Sequence, residues 1–331
     1  MERLIRIAVL AGALFSSILY AQEKDFRDYR FFINPGHGGY DSDDRHMEAT
    51  HFWESEANLE KGLYLKGLLE NKKAKVFTSR IGNSTKDDLA LAVIDEMANA
   101  ANVDFFISIH SNGSNGLNNW PLVLFRGTDL QPAYPSAKAF ADTLWQKLYE
   151  NGHYWTSSKP SARGDLSFYR DWGKLGLAAL RTLAVPGVLS EGSFHDYLPE
   201  SWRLRNYDYL HHESWAIYRS LESHFEVKPF RKGIAAGVIR DAQLKSAWTV
   251  PKGSSDELQP INTISITLKP GNRVYSIDSW NNGFYYFEGL NPGNYTLLVD
   301  GQDRFASDTV EIVVKGDQTT WTDFSLPAIK Q

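Results

Sequence analysis

Three runs of apolar residues in this chain each end at a single ionisable side chain. They run from Phe31 to His37, from Phe105 to His110 and from Val185 to Glu191. Each run has the length and composition of a buried strand. Because ligands and catalytic groups gather at the carboxyl ends of strands in an open α/β sheet, the three endings are expected to converge. Two imidazoles and a carboxylate at one edge of a sheet suggest a metal site.

Strand patterns alternate with helix patterns through the first two thirds of the chain. Strands are predicted over 30–34, 75–79, 103–110, 122–126 and 188–191, and helices over 54–70, 85–101, 135–151 and most of 202–225. The helical segments repeat apolar side chains at one-turn intervals, and in the first of them these are Leu59, then Leu63 and Tyr64, then Leu68 and Leu69. This series predicts an α/β domain with a mostly parallel sheet flanked by helices on both faces.

The pattern changes after Val227. Short alternating segments follow, predicted as strands over 264–268, 284–287, 295–299 and 310–314, with Gly, Pro and Asn between them. This pattern is typical of a small all-β sandwich. We therefore expect a first domain over residues 22–228 and an accessory β-sandwich domain over residues 229–331.

The first residues have the three-part form of a secretory signal. Arg3 and Arg6 flank the start of an apolar run from Ile7 to Tyr20, which ends at Ala21 before a polar segment. The alternative is an uncleaved membrane anchor, but about fourteen apolar residues are short of the roughly twenty that span a bilayer. The sequence thus predicts a signal peptide over residues 1–21. The mature chain, without a membrane span, would be periplasmic, extracellular or at the cell surface.

The amino-acid composition excludes several partners and reactive groups. The net charge of −5 gives no basic surface for nucleic acid, so no nucleic-acid partner is expected. The chain has no cysteine, which excludes disulfides, thiolate metal ligands and thiol nucleophiles. Any metal must therefore be held by histidine and carboxylate side chains.

A hydrolytic zinc site needs three protein ligands and one open position. His37 and His110 supply two ligands, and Glu54 is chosen as the third in preference to Glu56. Glu54 opens the first predicted helix, where the helix dipole favours a carboxylate. The turn-rich loop over residues 38–44 lets the chain leave the sheet and return.

Each of these residues also has a plainer interpretation. His37 alone fits a hydrogen-bonded turn, Glu54 alone fits a carboxylate at a helix N-terminus, and Glu191 alone fits a structural acceptor. Ser190 suggests a serine nucleophile, but it lacks the flanking glycines of a nucleophile elbow. Among the other histidines, His195 stands out because it lies four residues after Glu191.

Five segments in order resemble the zinc-dependent N-acetylmuramoyl-L-alanine amidases of the amidase-3 family. They lie at 33–41, 54–59, 77–80, 104–112 and 186–192, within a resemblance that covers roughly residues 28 to 225. The resemblance implies that His37, Glu54 and His110 bind Zn²⁺ and that Glu191 is the catalytic glutamate. It also implies a peptidoglycan or muropeptide substrate, cut at the amide between N-acetylmuramic acid and L-alanine.

The chain departs from the family pattern in several places. The loop between His37 and Glu54 is longer than usual and carries His46 and His51, which could compete as ligands or shape the entrance. Ile94 stands where the family has an arginine. After Glu191 the sequence continues Gly-Ser-Phe-His-Asp rather than with the family's usual residues.

The C-terminal segments resemble a carboxypeptidase-regulatory-like, transthyretin-type β-sandwich, in which such modules generally carry no catalytic residues. Trp248 and Trp280 are either surface contacts there or part of its core.

Two alternatives to the amidase remain: a zinc peptidase of different specificity, and a non-catalytic protein that binds cell wall or glycan. Tyr40 stands where a zinc carboxypeptidase would have the glutamate of its His-x-x-Glu motif, and the retained Glu191 argues against a pure binding protein. A regulatory protein partner is left open.

Overall fold

A computed structural model describes residues 24–41, 45–152, 154, 161–172, 175–227 and 231–329. The predicted signal peptide over residues 1–21 lies outside these residues. Within the described ranges, no helix is both long enough and apolar enough to cross a membrane.

The first part of the chain alternates strands and helices. Its strands are β1 (Arg30–Pro35), β2 (His46–Met47), β3 (Phe52–Trp53), β4 (Lys75–Thr78), β5 (Phe105–Asn112), β6 (Leu122–Phe125), β7 (Arg163–Gly164) and β8 (Gly187–Phe194). Its helices are α1 (Glu54–Asn71), α2 (Leu91–Ala100), α3 (Pro135–Asn151), α4 (Asp165–Phe168), α5 (Ala178–Arg181), α6 (Leu198–Arg203) and α7 (Tyr207–His224).

Six of these strands form one sheet in the order β4-β1-β5-β8-β6-β7. All neighbouring pairs are parallel except β6 and β8, which run antiparallel. The mostly parallel α/β sheet predicted from the sequence is therefore confirmed. β2 and β3 form a separate small hairpin inside the long loop that precedes α1.

Both faces of the sheet are covered, because side chains alternate along each strand. On one face, Phe31 and Ile33 of β1 pack in a core with residues from α1, α3 and α7. On the other face, Phe32 and Phe106 pack with residues from α2 and α5. The sequence of each strand is consequently a continuous run of apolar residues, which is the pattern of a sheet buried on both sides.

The helix predicted over 85–101 begins later than expected. Residues Thr85–Asp87 form a 3₁₀ turn, and α2 starts only at Leu91. The Asp87 side chain accepts hydrogen bonds from the Ser84 backbone N–H (2.7 Å) and hydroxyl (2.8 Å), which closes a separate turn. Ala90 is extended, so the helix cannot continue through it.

The last part of the chain is all β. Its strands are β9 (Gly233–Lys245), β10 (Leu258–Pro260), β11 (Ser265–Lys269), β12 (Arg273–Ser276), β13 (Phe284–Leu290), β14 (Gly293–Asp300), β15 (Asp308–Val314), β16 (Thr319–Trp321) and β17 (Phe324–Leu326). One sheet is built around β9, with β10, β13, β16 and β17, and the other has the order β12-β11-β14-β15. Their inner side chains share one apolar core, as in a β-sandwich.

Helix α7 is buried from two sides, because it packs between the α/β sheet and the β-sandwich. The core that contains Phe31 continues through Trp215 of α7 to Phe284 of β13. The rings of Tyr209 and Phe284 meet edge-on with 5.1 Å between centroids. The two parts thus share one continuous apolar core. The boundary predicted near residue 228 falls at residues 228–230, outside the described ranges, and the division into domains stays a prediction.

Candidate metal centre

The residues singled out at the predicted strand ends meet at the carboxyl edge of the sheet, although β5 continues past His110 to Asn112 and β8 past Glu191 to Phe194. Pro35, at the end of β1, pairs with Ile109 of β5, and His110 pairs with Glu191 of β8. His37 lies two residues after the end of β1 and has a left-handed backbone with φ of 62°. This conformation is uncommon for a residue other than glycine and is often found at functional sites.

Three candidate ligand atoms lie close together at this edge. His37 Nε2 is 3.2 Å from Glu54 Oε2 and 3.2 Å from His110 Nδ1, and His110 Nδ1 is 3.3 Å from Glu54 Oε1. Ligands placed tetrahedrally at about 2.0–2.2 Å from zinc would be roughly 3.3–3.6 Å apart. Over the described residues, this is the cluster of histidine and acidic side chains that could hold a metal ion.

Glu54 is fixed in place by two hydrogen bonds to one of its oxygens. Its Oε1 accepts from the Asn58 side chain at 3.0 Å and from the Ser111 backbone N–H at 2.9 Å. The other oxygen, Oε2, is the one that faces His37. Burial alone would raise the pKa of Glu54, but the adjacent His37 and His110 outweigh it and hold that pKa well below its ordinary value. The carboxylate is therefore ionised, as a metal ligand must be.

Glu191 has the opposite electrostatic environment. Burial is the main reason that its pKa rises to about 7, and the nearby carboxylate of Glu54 raises it further, while His110 lowers it. Its Oε2 is buried and has no hydrogen-bond partner within the described ranges. Two carboxyl groups at one site thus differ strongly in proton affinity, which is the arrangement that separates a ligand from a proton carrier.

Arg80 joins the two segments that carry His37 and Glu54. Its guanidinium is buried and donates to the carbonyl oxygens of Pro35 (2.9 Å), Gly36 (3.0 Å) and Ser55 (2.6 Å). The sequence placed Arg80 in a family-like motif but did not predict these contacts. They depend on β4 lying beside β1, which is a long-range pairing.

A buried ion pair beneath the site was not predicted from the sequence. Lys61, on α1, is fully buried and lies 2.7 Å from Glu213 of α7, with Ser111 Oγ at 3.0 Å. Nothing in the local sequence distinguishes this lysine from an exposed one, because its partner is about half the chain away.

The remaining candidate residues lie around the site. His195 Nε2 is 3.9 Å from Glu54 Oε2, and His46 lines the same pocket, as does Glu191. Neither of these histidines belongs to the cluster of three. Glu56 points instead to Arg205, at 3.5 Å.

Comparison with known proteins identifies the family. A family model described as N-acetylmuramoyl-L-alanine amidase matches residues 31–223, which is more than half of the chain. The chain belongs to the N-acetylmuramoyl-L-alanine amidase family. The match to this amidase family ends before β9, so the C-terminal strands lie outside it.

Amidases of several bacteria are similar to this chain. The N-acetylmuramoyl-L-alanine amidase CwlM of Bacillus licheniformis is 25% identical over 179 residues, which make up 54% of this chain and 61% of that relative. The chain therefore matches about three fifths of the length of this curated relative.

Two solved amidase structures share the fold. The N-acetylmuramoyl-L-alanine amidase from Clostridium difficile 630 matches with a TM-score of 0.50 and 22% identity, over 60% of this chain and 98% of that one. Ami1 from Mycobacterium smegmatis matches with a TM-score of 0.50 and 16% identity, over 61% of this chain and 99% of that one. At such identities the likeness establishes the α/β fold.

Proposed function

We propose that this protein is a zinc-dependent hydrolase that cuts the amide between N-acetylmuramic acid and L-alanine in peptidoglycan. The observation that carries the proposal is the spacing of 3.2–3.3 Å among His37, Glu54 and His110, with Glu191 beside them on the next strand. Membership of the amidase family supports the reaction and the substrate class.

The donor set fits zinc. Two neutral imidazoles and one carboxylate are common ligands of catalytic zinc, and no cysteine competes with them. A bound zinc ion would polarise the amide carbonyl and lower the pKa of its water to about 7. In this proposal His37, Glu54 and His110 hold the ion.

Glu191 is the proton carrier in this proposal. It accepts a proton from the water that adds to the carbonyl carbon. It then transfers that proton to the nitrogen of L-alanine as the C–N bond breaks, which leaves a lactyl carboxylic acid and a free amine. A pKa of about 7 suits a group that must both take and give a proton near neutral pH.

We further propose that the protein acts outside the cytoplasm. The N-terminal segment over residues 1–21 has the form of a signal peptide, and peptidoglycan lies outside the cytoplasmic membrane. N-terminal sequencing of the protein recovered from the producing cells tests this proposal. A mature chain that begins at Gln22 would support it, whereas a chain that retains Met1 in the cytosol would contradict it.

The decisive experiment joins metal analysis to mass spectrometry of digested peptidoglycan. The purified chain should carry about one zinc ion and release stem peptides from muramic acid. His110→Ala should lose the zinc, while His211→Ala, whose imidazole pairs with Glu60 away from the cluster, should keep it. Glu191→Gln should keep the zinc and lose at least about a hundredfold in turnover.

Other outcomes would overturn the proposal. Zinc binding without any cleavage would make the protein a non-catalytic binder of cell wall. Cleavage between two amino acids of the stem, rather than at muramic acid, would make it a zinc peptidase.

A further inference from the structure

A second cavity of about 150 Å³ lies beside the candidate metal centre. Its walls come from three parts of the chain: Trp53 of the β2–β3 hairpin, Arg205 and Tyr207 around the turn between α6 and α7, and Trp280 of the β-sandwich. The hairpin lies in the loop that is longer than usual for the family, and Trp280 lies outside the family match. One wall of the cavity therefore comes from outside the segment that the family model matches.

Trp53 connects this cavity to the metal centre. It immediately precedes Glu54, and its ring stacks on His46 with 4.2 Å between centroids and 16° between planes. His46 lines the pocket of the metal centre, whereas Trp53 lines the second cavity. The stacked pair thus forms the boundary between two adjoining depressions.

The opposite wall presents a second aromatic ring. The Arg205 guanidinium lies 4.6 Å from the centre of the Trp280 ring, and Trp202 is 6.1 Å from the same ring. Arg205 donates to the His51 carbonyl oxygen at 2.7 Å and faces Glu56 at 3.5 Å. Its Nε is buried and has no hydrogen-bond partner within the described ranges.

The backbone of Trp280 is hydrogen-bonded in the loop between β12 and β13. Its backbone N–H donates to Asp278 at 2.9 Å, and Asp278 also accepts from Asn206, which caps α7, at 2.8 Å. The backbone at Trp280 is therefore linked through Asp278 to the first part of the chain. Little ordering would be needed when a ligand binds, which favours affinity.

These walls bring two tryptophan rings together with charged groups. An Arg donor and a Glu acceptor are available at the same place as Trp53 and Trp280. A sugar ring needs this combination, because its C–H faces pack on aromatic rings while its hydroxyl and acetamido groups need hydrogen-bond partners. An apolar peptide side chain would leave the Glu56 carboxylate at this wall without a new hydrogen-bond partner.

We infer that this cavity binds a sugar ring of the glycan strand next to the muramic acid whose amide is cut. The inference rests on the proposed function, because a muramic acid at the metal centre carries neighbouring sugars along its chain. The cavity adjoins that centre through Trp53 and His46. The β-sandwich then contributes Trp280 to substrate binding, and longer glycans bind better than single disaccharide units.

Binding of chitotetraose, a tetramer of N-acetylglucosamine, tests the inference in the full chain. This probe carries no stem peptide, so calorimetric titration measures glycan binding separately from amide hydrolysis. The parent protein should bind it, and Trp280→Ala should weaken binding by about tenfold or more. Trp280→Phe keeps an aromatic face and should recover most of the affinity. Trp248→Ala, in the same part of the chain but outside the cavity, should bind like the parent.

Two results would overturn the inference: no binding of chitotetraose by the parent at millimolar concentration, or equal binding by Trp280→Ala and the parent. The proposed function is tested separately by digestion of a muropeptide. Digestion without chitotetraose binding would refute sugar binding by this cavity and leave the amidase function standing. Chitotetraose binding without digestion of any muropeptide would refute the amidase function and leave a glycan site.

Discussion

The imidazole of His110 lies directly against the backbone of Gly36, in the space that a side chain would occupy. A Cβ at Gly36 would be 2.2 Å from His110 Cε1 and 2.4 Å from its Nε2. Glycine is therefore needed at this position for contact rather than for backbone conformation. Gly36 follows β1 and His110 lies on the neighbouring strand β5, and the ring orientation of a candidate ligand depends on this close approach.

Gly36→Ala should displace the His110 ring and lower zinc affinity by about tenfold to a hundredfold, the range seen when a group that supports a ligand is lost. Zinc affinity is measured by competition with a chromogenic chelator. Gly67→Ala is the matched control, because a Cβ there would have no atom within 4 Å. It lies in α1 and should leave zinc affinity unchanged while stabilising the fold by about 0.5–1 kcal/mol. Parent-like zinc affinity in Gly36→Ala would contradict this account.

Arg80→Lys should destabilise the protein and weaken the metal site together. Lysine cannot reproduce the planar set of donors that serves Pro35, Gly36 and Ser55. We expect the free energy of unfolding in urea to fall by about 2–4 kcal/mol, with a parallel loss of zinc affinity. Arg163→Lys, at a half-exposed ion pair with Asp129, should change stability by less than about 0.5 kcal/mol. Equal effects of the two substitutions would show that Arg80 has no special role.

Glu191 should make the stability of the metal-free protein depend on pH. Its pKa is about 7 in the folded chain and about 4.3 when unfolded, so ionisation favours the unfolded state. The stabilising contribution of its protonated form is complete below pH 4.3 and is lost as the pH rises through 7. Between pH 5 and pH 8, metal-free parent should lose about 2–3 kcal/mol more of its free energy of unfolding than Glu191→Gln does.

Urea unfolding in the presence of a chelator measures this difference. Glu54 responds in the opposite direction, because its pKa is lowered well below its ordinary value, and it therefore titrates below the pH range of the comparison. Identical pH dependence in the parent and in Glu191→Gln would show that Glu191 is not held in a poorly solvated position.

Asp256 should be critical for the junction between the α/β part and the β-sandwich. Its Oδ1 lies 3.0 Å from Arg203 of α6 and 3.0 Å from Arg240 of β9, and all three side chains are buried. Asp256→Ala would remove the carboxylate that two buried guanidinium groups share, while Glu200 still pairs with Arg203 and Asp323 with Arg240, at a cost of about 2–3 kcal/mol in urea unfolding. Asp303→Ala, at an exposed position, should change stability by less than about 0.5 kcal/mol. A loss below 1 kcal/mol for Asp256→Ala would mean that the junction does not depend on this carboxylate.

Local sequence patterns were sufficient to predict most of the helices and strands. The helix predicted over 135–151 coincides with α3, and the apolar runs that end near His37, His110 and Glu191 are the strands β1, β5 and β8. A buried strand and an amphipathic helix each have a period that is visible in a few consecutive residues. The predicted start of α2 was wrong because the Asp87 side chain closes a turn that apolar periodicity does not show.

By itself, the sequence determined the order of strands and helices, the absence of thiol ligands and the short set of residues that a metal could use. Tertiary structure decided that β6 runs antiparallel to β8, that Arg80 joins the segments carrying His37 and Glu54, and that α7 is buried beneath the β-sandwich. The physical reason is distance along the chain. Periodicity reports which side of an element is apolar, whereas register, strand direction and ion-pair partners depend on residues that meet only after the core has packed.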